Sequence, residues 1–150
     1  ADIRVKGKVD LGVCKDICIP QTLRFDQLID VRSSQPDPMI AAAMASSPYS
    51  ASEAGVSSAT CTLSPIDGGL RISATIDMPP SGGTEYAVIE AGNPQIWASQ
   101  TETHRNGGQL TASSDLIHVS ESSFALDRSA VRITVLGQKH AVDIRGCTPG

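Results

Sequence analysis

Four cysteines, at positions 14, 18, 61 and 147, are the residues of this sequence best equipped to do chemistry. An even number in a chain with few large apolar side chains points to disulfides. Such sulfurs can serve as a covalent staple, as a soft-metal dithiolate, or as a reversible thiol–disulfide exchange pair. Cys14 and Cys18 are divided by Lys15, Asp16 and Ile17. On one continuous strand their Cα atoms would lie about 13 Å apart, well beyond the roughly 7 Å limit for a bridge. A bond therefore needs a turn at Lys15-Asp16-Ile17, which makes the two cysteines a cross-strand pair with Cα atoms about 4.5–5.5 Å apart. So short a loop restrains the unfolded chain little, and the bond is expected to be a weak staple and easily reduced.

Cys61 and Cys147 differ in every respect. They lie 86 positions apart (147 minus 61) at the two ends of a long strand-rich segment. A bridge closing that loop contributes about 4 kcal/mol by chain-entropy arithmetic, so this pair reads as a structural staple. Two buried reduced thiols are the alternative, and the crossed pairing of 14 with 61 and 18 with 147 stays open at this point. For Cys14 and Cys18 all three chemistries stay open. A Cu(I) or Zn dithiolate suits Cys-x3-Cys with a nearby proline, but His104, His118 and His140 are far off and none is spaced as a ligand pair. In exchange, Lys15 would stabilise a thiolate and Asp16 would oppose it.

The elements that must carry these cysteines are mostly strands. Ile3, Val5, Val9, Leu11 and Val13 alternate with charged residues, with Gly7 as a bulge or break, and Thr22 to Val31 suits a second strand, giving a hairpin whose tip lies near Cys14 and Cys18. A turn-rich SSQPDP follows. Asp37 as N-cap and Pro38 in the first helical position predict a short helix that closes before Ser47-Pro48. Beyond Val56, glycine and proline doublets separate strands expected at 56–63, 70–78, 86–90, 96–104 and 109–114, and 130–136 with 140–145 flank a Gly137-Gln138-Lys139 turn. This pattern predicts an all-β fold, an antiparallel sandwich with one short helix.

Composition excludes several function classes. Of 150 residues 40% are hydrophobic, only five are aromatic, and the net charge is −4, so no basic surface offers itself to a nucleic-acid backbone or an anionic membrane. The longest apolar run, Pro38 to Ala45, is far short of a bilayer span and no signal peptide stands at the N-terminus, so the chain reads as soluble or as a soluble piece of something larger. There is no Gly-x-Ser-x-Gly elbow, Walker loop, Gly-x-Gly-x-x-Gly or His-Glu-x-x-His. No cofactor or resident metal is expected. His104 and His118 read as ordinary loop and strand residues. Trp97 reads as a core or turn-packing aromatic, with a partner site as its other use, and Asp127-Arg128 as a surface turn.

Gly12 to Pro20 (GVCKDICIP), preceded by the strand IRVKGKVDL and followed by TLRF, resembles the end of the amino-terminal periplasmic domain of the DsbD/ScsB-type thiol–disulfide interchange proteins. IEAGNPQIW, SFALDRSAVRITVLG and AVDIRGC resemble the second soluble segment of the ScsB-like members, and the close cysteine spacing favours that branch. The resemblance implies an immunoglobulin-like sandwich. It implies that Cys14 and Cys18 form the redox pair, one making the mixed disulfide and the other resolving it, with Pro20 fixing the exit strand and Lys15 and Asp16 at the turn. Electrons would come from a membrane-embedded reductase domain of the same full-length protein and pass to periplasmic thioredoxin-like oxidoreductases. The implied location is the periplasm of a Gram-negative bacterium, as the soluble part of a membrane-anchored protein.

Only 13 residues precede Cys14, so residues 1–35 are expected to be the terminal hairpin of a truncated immunoglobulin-like redox domain, and 36–150 a second β-sandwich domain. Unpaired hairpin edges recruit partners, so residues 1–31 are expected to pack on the second domain or to self-associate with another copy. Two other readings are kept: a non-catalytic β-sandwich interaction domain whose disulfides are both structural, and a Cu(I)-binding dithiol module.

Overall fold

The alternation of β-branched and charged residues through the first thirty positions produces two long strands, β1 (Asp2–Cys14) and β2 (Cys18–Asp30), paired antiparallel without a bulge from Asp2↔Asp30 to Cys14↔Cys18. The computed structural model describes residues 2–14, 16–32, 37–120 and 122–150. Its backbone divides into two units, Ala1–Ala42 and Ala43–Gly150.

Strand periodicity sorts the hairpin's side chains onto two unlike faces. Odd positions pair Ile3 with Ile29, Val5 with Gln27, Gly7 with Phe25, Val9 with Leu23, Leu11 with Gln21 and Val13 with Ile19, and none of these twelve residues is charged. Even positions carry the charges. Arg4 grips Asp26 with two bonds of 2.7 and 2.8 Å, Lys6 reaches the same carboxylate at 3.2 Å, and Lys8 pairs with Asp10 at 2.7 Å. Gly7 does not break the strand. Its missing side chain makes room for Phe25, whose ring lies where a Cβ would stand, 2.2 Å from the nearest ring atom.

The helix α1 (Pro38–Ala45) forms where a good N-cap meets proline at the first helical position. The Asp37 carboxylate accepts the Met39 and Ile40 backbone N–H groups at 2.8 and 3.2 Å.

The second unit is a sandwich. One sheet holds β3 (Tyr49–Ser50), β11 (Ala141–Arg145), β10 (Arg132–Leu136) and β6 (Tyr86–Glu90), in that order. The other runs β12 (Thr148–Pro149), β4 (Ser58–Ile66), β5 (Gly69–Asp77), β9 (Gln109–His118), β7 (Ile96–Ala98), and β8 (Glu102–Asn106) also pairs with β9. Alternate residues of both sheets point inward: Ile72, Ala74 and Ile76 of β5, Leu110, Ala112 and Leu116 of β9, Ile133 and Val135 of β10, Val142 and Ile144 of β11. Branched aliphatics and alanines fill this core, and no aromatic side chain is among its buried members. The chain is therefore all-β, an immunoglobulin-like sandwich with one short helix among the described residues.

Three local readings need correction. The strand expected over 96–104 is two strands, because Ser99-Gln100-Thr101 stand opposite only Ser114 and Asp115 of β9. This is a bulge, fixed by Ser99, whose N–H donates to the Asp115 carbonyl at 2.8 Å and whose hydroxyl accepts the Asp115 N–H at 2.9 Å. β9 runs on to His118, four residues past its expected end, since β7 pairs with that extension. Trp97 belongs to no core: it sits on β7 and is 57% exposed.

Candidate functional site

Cys14 and Cys18 occupy the last rung of the hairpin, and their sulfurs are bonded, with Cα atoms 4.0 Å apart. The strand register places them. Thirteen unbroken residues on each arm bring the two cysteines opposite one another only because three residues form the loop. Both are exposed, and their side chains emerge on the charged face, away from the apolar one. The next rung on that face is Gly12 opposite Pro20, which offers no bulk beyond a pyrrolidine ring and no backbone N–H from Pro20. Below it the Thr22 hydroxyl donates to Asp10 at 2.7 Å, and Lys8 first, then Thr22, hold the Asp10 carboxyl below the usual range. Asp16 lies in the loop, exposed, with no hydrogen bond or ion pair to another described residue. Lys15 lies outside the described residues.

The other disulfide has the opposite setting. Cys61 on β4 is 0% exposed, and Cys147 follows β11 and is half-buried, with Cα atoms 5.7 Å apart. The bond ties the chain's last residues to β4, where β12 adds a short parallel pairing and the Gly150 N–H donates to the Cys61 carbonyl at 3.2 Å. Exchange needs an attacking thiolate in line with a sulfur, so access separates the two bonds. Mild reduction followed by alkylation and peptide mass mapping is expected to open Cys14–Cys18 with Cys61–Cys147 intact. If the Cys61–Cys147 bond opens first, this division of labour is wrong.

The remaining candidates gather no comparable chemistry. His118 shares its Nδ1 with the Ser120 and Ser122 hydroxyls at 2.8 and 3.1 Å, a contact that fixes a loop. Among the described residues no three His, Cys, Asp or Glu side chains converge as a metal site. Also among them, no helix is long and apolar enough to cross a membrane.

Sequence reasoning passed over one buried polar cluster. Glu85, its side chain 3% exposed, accepts two bonds of 2.7 Å from Arg105, and bonds of 2.7 and 2.6 Å from the N–H and hydroxyl of Ser81. Arg105 also donates to the Met78 carbonyl at 2.9 Å. Gly82 and Gly83, at φ 98° and 62°, let the loop turn tightly between Ser81 and Glu85. The glycine doublet was the legible signal, but nothing in the text linked Glu85 to an arginine 20 positions on. The cluster holds the loop from Ser81 to Glu85 against β8.

No protein-family model matches this chain, and no curated protein matches it by sequence. Among solved structures it is similar to the N-terminal periplasmic domain of ScsB from Proteus mirabilis, with a TM-score of 0.68 and 11% identity over 98% of this chain. This chain spans 58% of the length of that one. At that identity the likeness is one of fold.

Proposed function

We propose that this chain is a thiol–disulfide exchange module of the DsbD/ScsB type, working through Cys14 and Cys18. The observation that carries the reading is the accessible four-residue disulfide at the hairpin tip, whose two cysteines are both exposed, in contrast to a second bond anchored on the fully buried Cys61. The ScsB-like fold and the GVCKDICIP motif support it. In the reduced state one cysteine thiolate attacks a partner disulfide, giving a mixed disulfide and releasing one partner thiolate. The second cysteine then displaces the other partner sulfur. Two electrons leave with the partner dithiol, and Cys14–Cys18 is re-formed. The supplier of electrons is read as a membrane-embedded reductase domain, the acceptor as a thioredoxin-like oxidoreductase, and the compartment as the periplasm.

Trapping tests the reading. With either Cys14→Ser or Cys18→Ser, the remaining tip thiol is expected to accumulate a mixed disulfide with an oxidised thioredoxin-like protein, visible by mass and cleared by dithiothreitol. If neither variant forms one while Cys61–Cys147 stays closed, the tip pair is a structural bond and the interaction-domain reading takes over.

A further inference from the structure

We propose that the second unit binds an organic carboxylate with an apolar body, in a cleft where Arg128 and Arg145 hold the carboxylate oxygens. The cleft measures about 740 Å³ and lies between the start of β4, the turn at Asp127-Arg128-Ser129 and the chain from Ile144 to Pro149. That is the size of a small-molecule site. Every lining residue belongs to the second unit, and β12 leads away from the cleft along β4, with Thr148 opposite Thr60 and Pro149 opposite Cys61.

Arg128 singles the site out. The other arginines of the unit each hold a carboxylate: Arg71 that of Asp115, Arg105 that of Glu85, and Arg132 and Arg145 share Asp143 at 2.6 and 3.3 Å. Arg128 pairs with none among the described residues. It is half-buried, and its Nε is shut off from solvent with no hydrogen-bond partner, alone among their buried side-chain nitrogens and oxygens. Folded chains leave few buried donors unpaired, and a charged one is the costliest to leave so. The turn is fixed without this guanidinium. The Ser129 N–H and hydroxyl both donate to Asp127, at 2.9 and 2.6 Å, and the Arg128 carbonyl accepts the N–H of Cys147, whose sulfur is bonded to Cys61.

The rest of the lining selects the ligand. The hydroxyls of Ser57, Ser58 and Thr148 already donate to the Asp77 carbonyl, the Asp77 carboxylate and the Ala59 carbonyl, and that of Ser129 to Asp127. The side-chain donors left are those of Arg128 and of Arg145, whose side chain is 77% exposed and held by one long bond. Such a set matches the two oxygens of a carboxylate better than the several acceptors of a phosphate group. Val56, Leu126 and Ile144 line the remainder and suit an apolar body.

Two-dimensional N–H NMR of the full chain tests this with hexanoate and with N-acetyl-leucyl-leucine, each against its neutral amide. The signals read are the Arg128 Nε–H group and the Ser129 and Gly146 backbone N–H groups of the cleft. The expected result is a saturable shift of all three, half complete at about 1 mM for so small a ligand. Each amide is expected to bind at least about tenfold more weakly. Whichever acid binds tighter tells a free organic acid from the carboxyl terminus of a peptide. Arg128→Gln is expected to weaken binding about tenfold, and Arg128→Lys nearly as much, because an ammonium lacks the planar fork. Arg71→Gln, whose partner is Asp115, is expected to bind as the parent does. The parent's own Arg128 signal needs no variant, so a variant that fails to fold leaves the test standing. No saturation by about 20 mM, amides that bind as well as the acids, or equal loss from Arg71→Gln overturns the proposal. The outcome is separate from that of the exchange reading, whose cysteines lie in the other unit.

Discussion

Replacing Cys61 and Cys147 together by alanine is expected to cost the second unit about 4 kcal/mol, because the bond closes a loop of 86 positions in the unfolded chain. For a unit of about 100 residues this is a fall of roughly 15–30 °C in Tm. The effect is large because the core is thin. It is built from branched aliphatics and alanine with no aromatic among its buried side chains, and the bond fastens the last residues to β4, where β12 contributes only two residues of pairing. The same replacement at Cys14 and Cys18 is expected to leave this transition within about 1 °C. Those two cysteines belong to the other unit, and a four-residue loop restrains the chain by less than half as much. Calorimetry of both double variants reads the contrast directly.

The second large effect lies at Arg105. Removing it with Arg105→Ala leaves the Glu85 carboxylate, 3% exposed, without its guanidinium, and an uncompensated buried charge of this kind costs about 3–5 kcal/mol. The pH dependence distinguishes this from a packing loss. Arg105 above all, then Ser81, outweigh the opposing effect of burial and hold Glu85 at about 2, against an ordinary value of 4.5. A carboxyl whose folded value is depressed contributes stability that is complete above its unfolded value. That contribution is lost as pH falls from about 5 to about 2, and it amounts to roughly 3 kcal/mol. Urea titrations of the parent at pH 6 and pH 3 should show somewhat more than half of this loss, about 2 kcal/mol. In Arg105→Ala the slope flattens or reverses, because burial alone favours the protonated acid.

How much of this was legible follows from where each signal resides. The hairpin could be read because its pattern is local: odd apolar residues and even charges on both arms, with a three-residue connection between the cysteines. The helix start was written in Asp37-Pro38, and the β10–β11 hairpin in its flanking alternation. The break at Ser99 was not legible, since Ile96 to His104 is a fair strand by composition and the bulge exists only because β9 offers two residues against three. Tyr49–Ser50 and Thr148–Pro149 are strands solely through long-range partners, β11 and β4, and two residues carry no periodicity. Trp97 was misread for a related reason: with so few aromatics a core place was the natural expectation, yet β7 lies at the end of its sheet and Trp97 faces outward. At the site, spacing alone left the cysteine pairing open, because four cysteines allow three connectivities. The structure joins 14 with 18 and 61 with 147.

The central claim is that the tip bond exists to be exchanged while the core bond exists to hold. The reduction potential of Cys14–Cys18 tests it most directly, measured on the full chain by equilibration in glutathione or dithiothreitol buffers, acid quench and alkylation, with Cys61–Cys147 verified closed. The expected value lies within the range of exchange proteins, between about −270 and −120 mV. A potential below about −300 mV would mark the tip as a structural bond and contradict it.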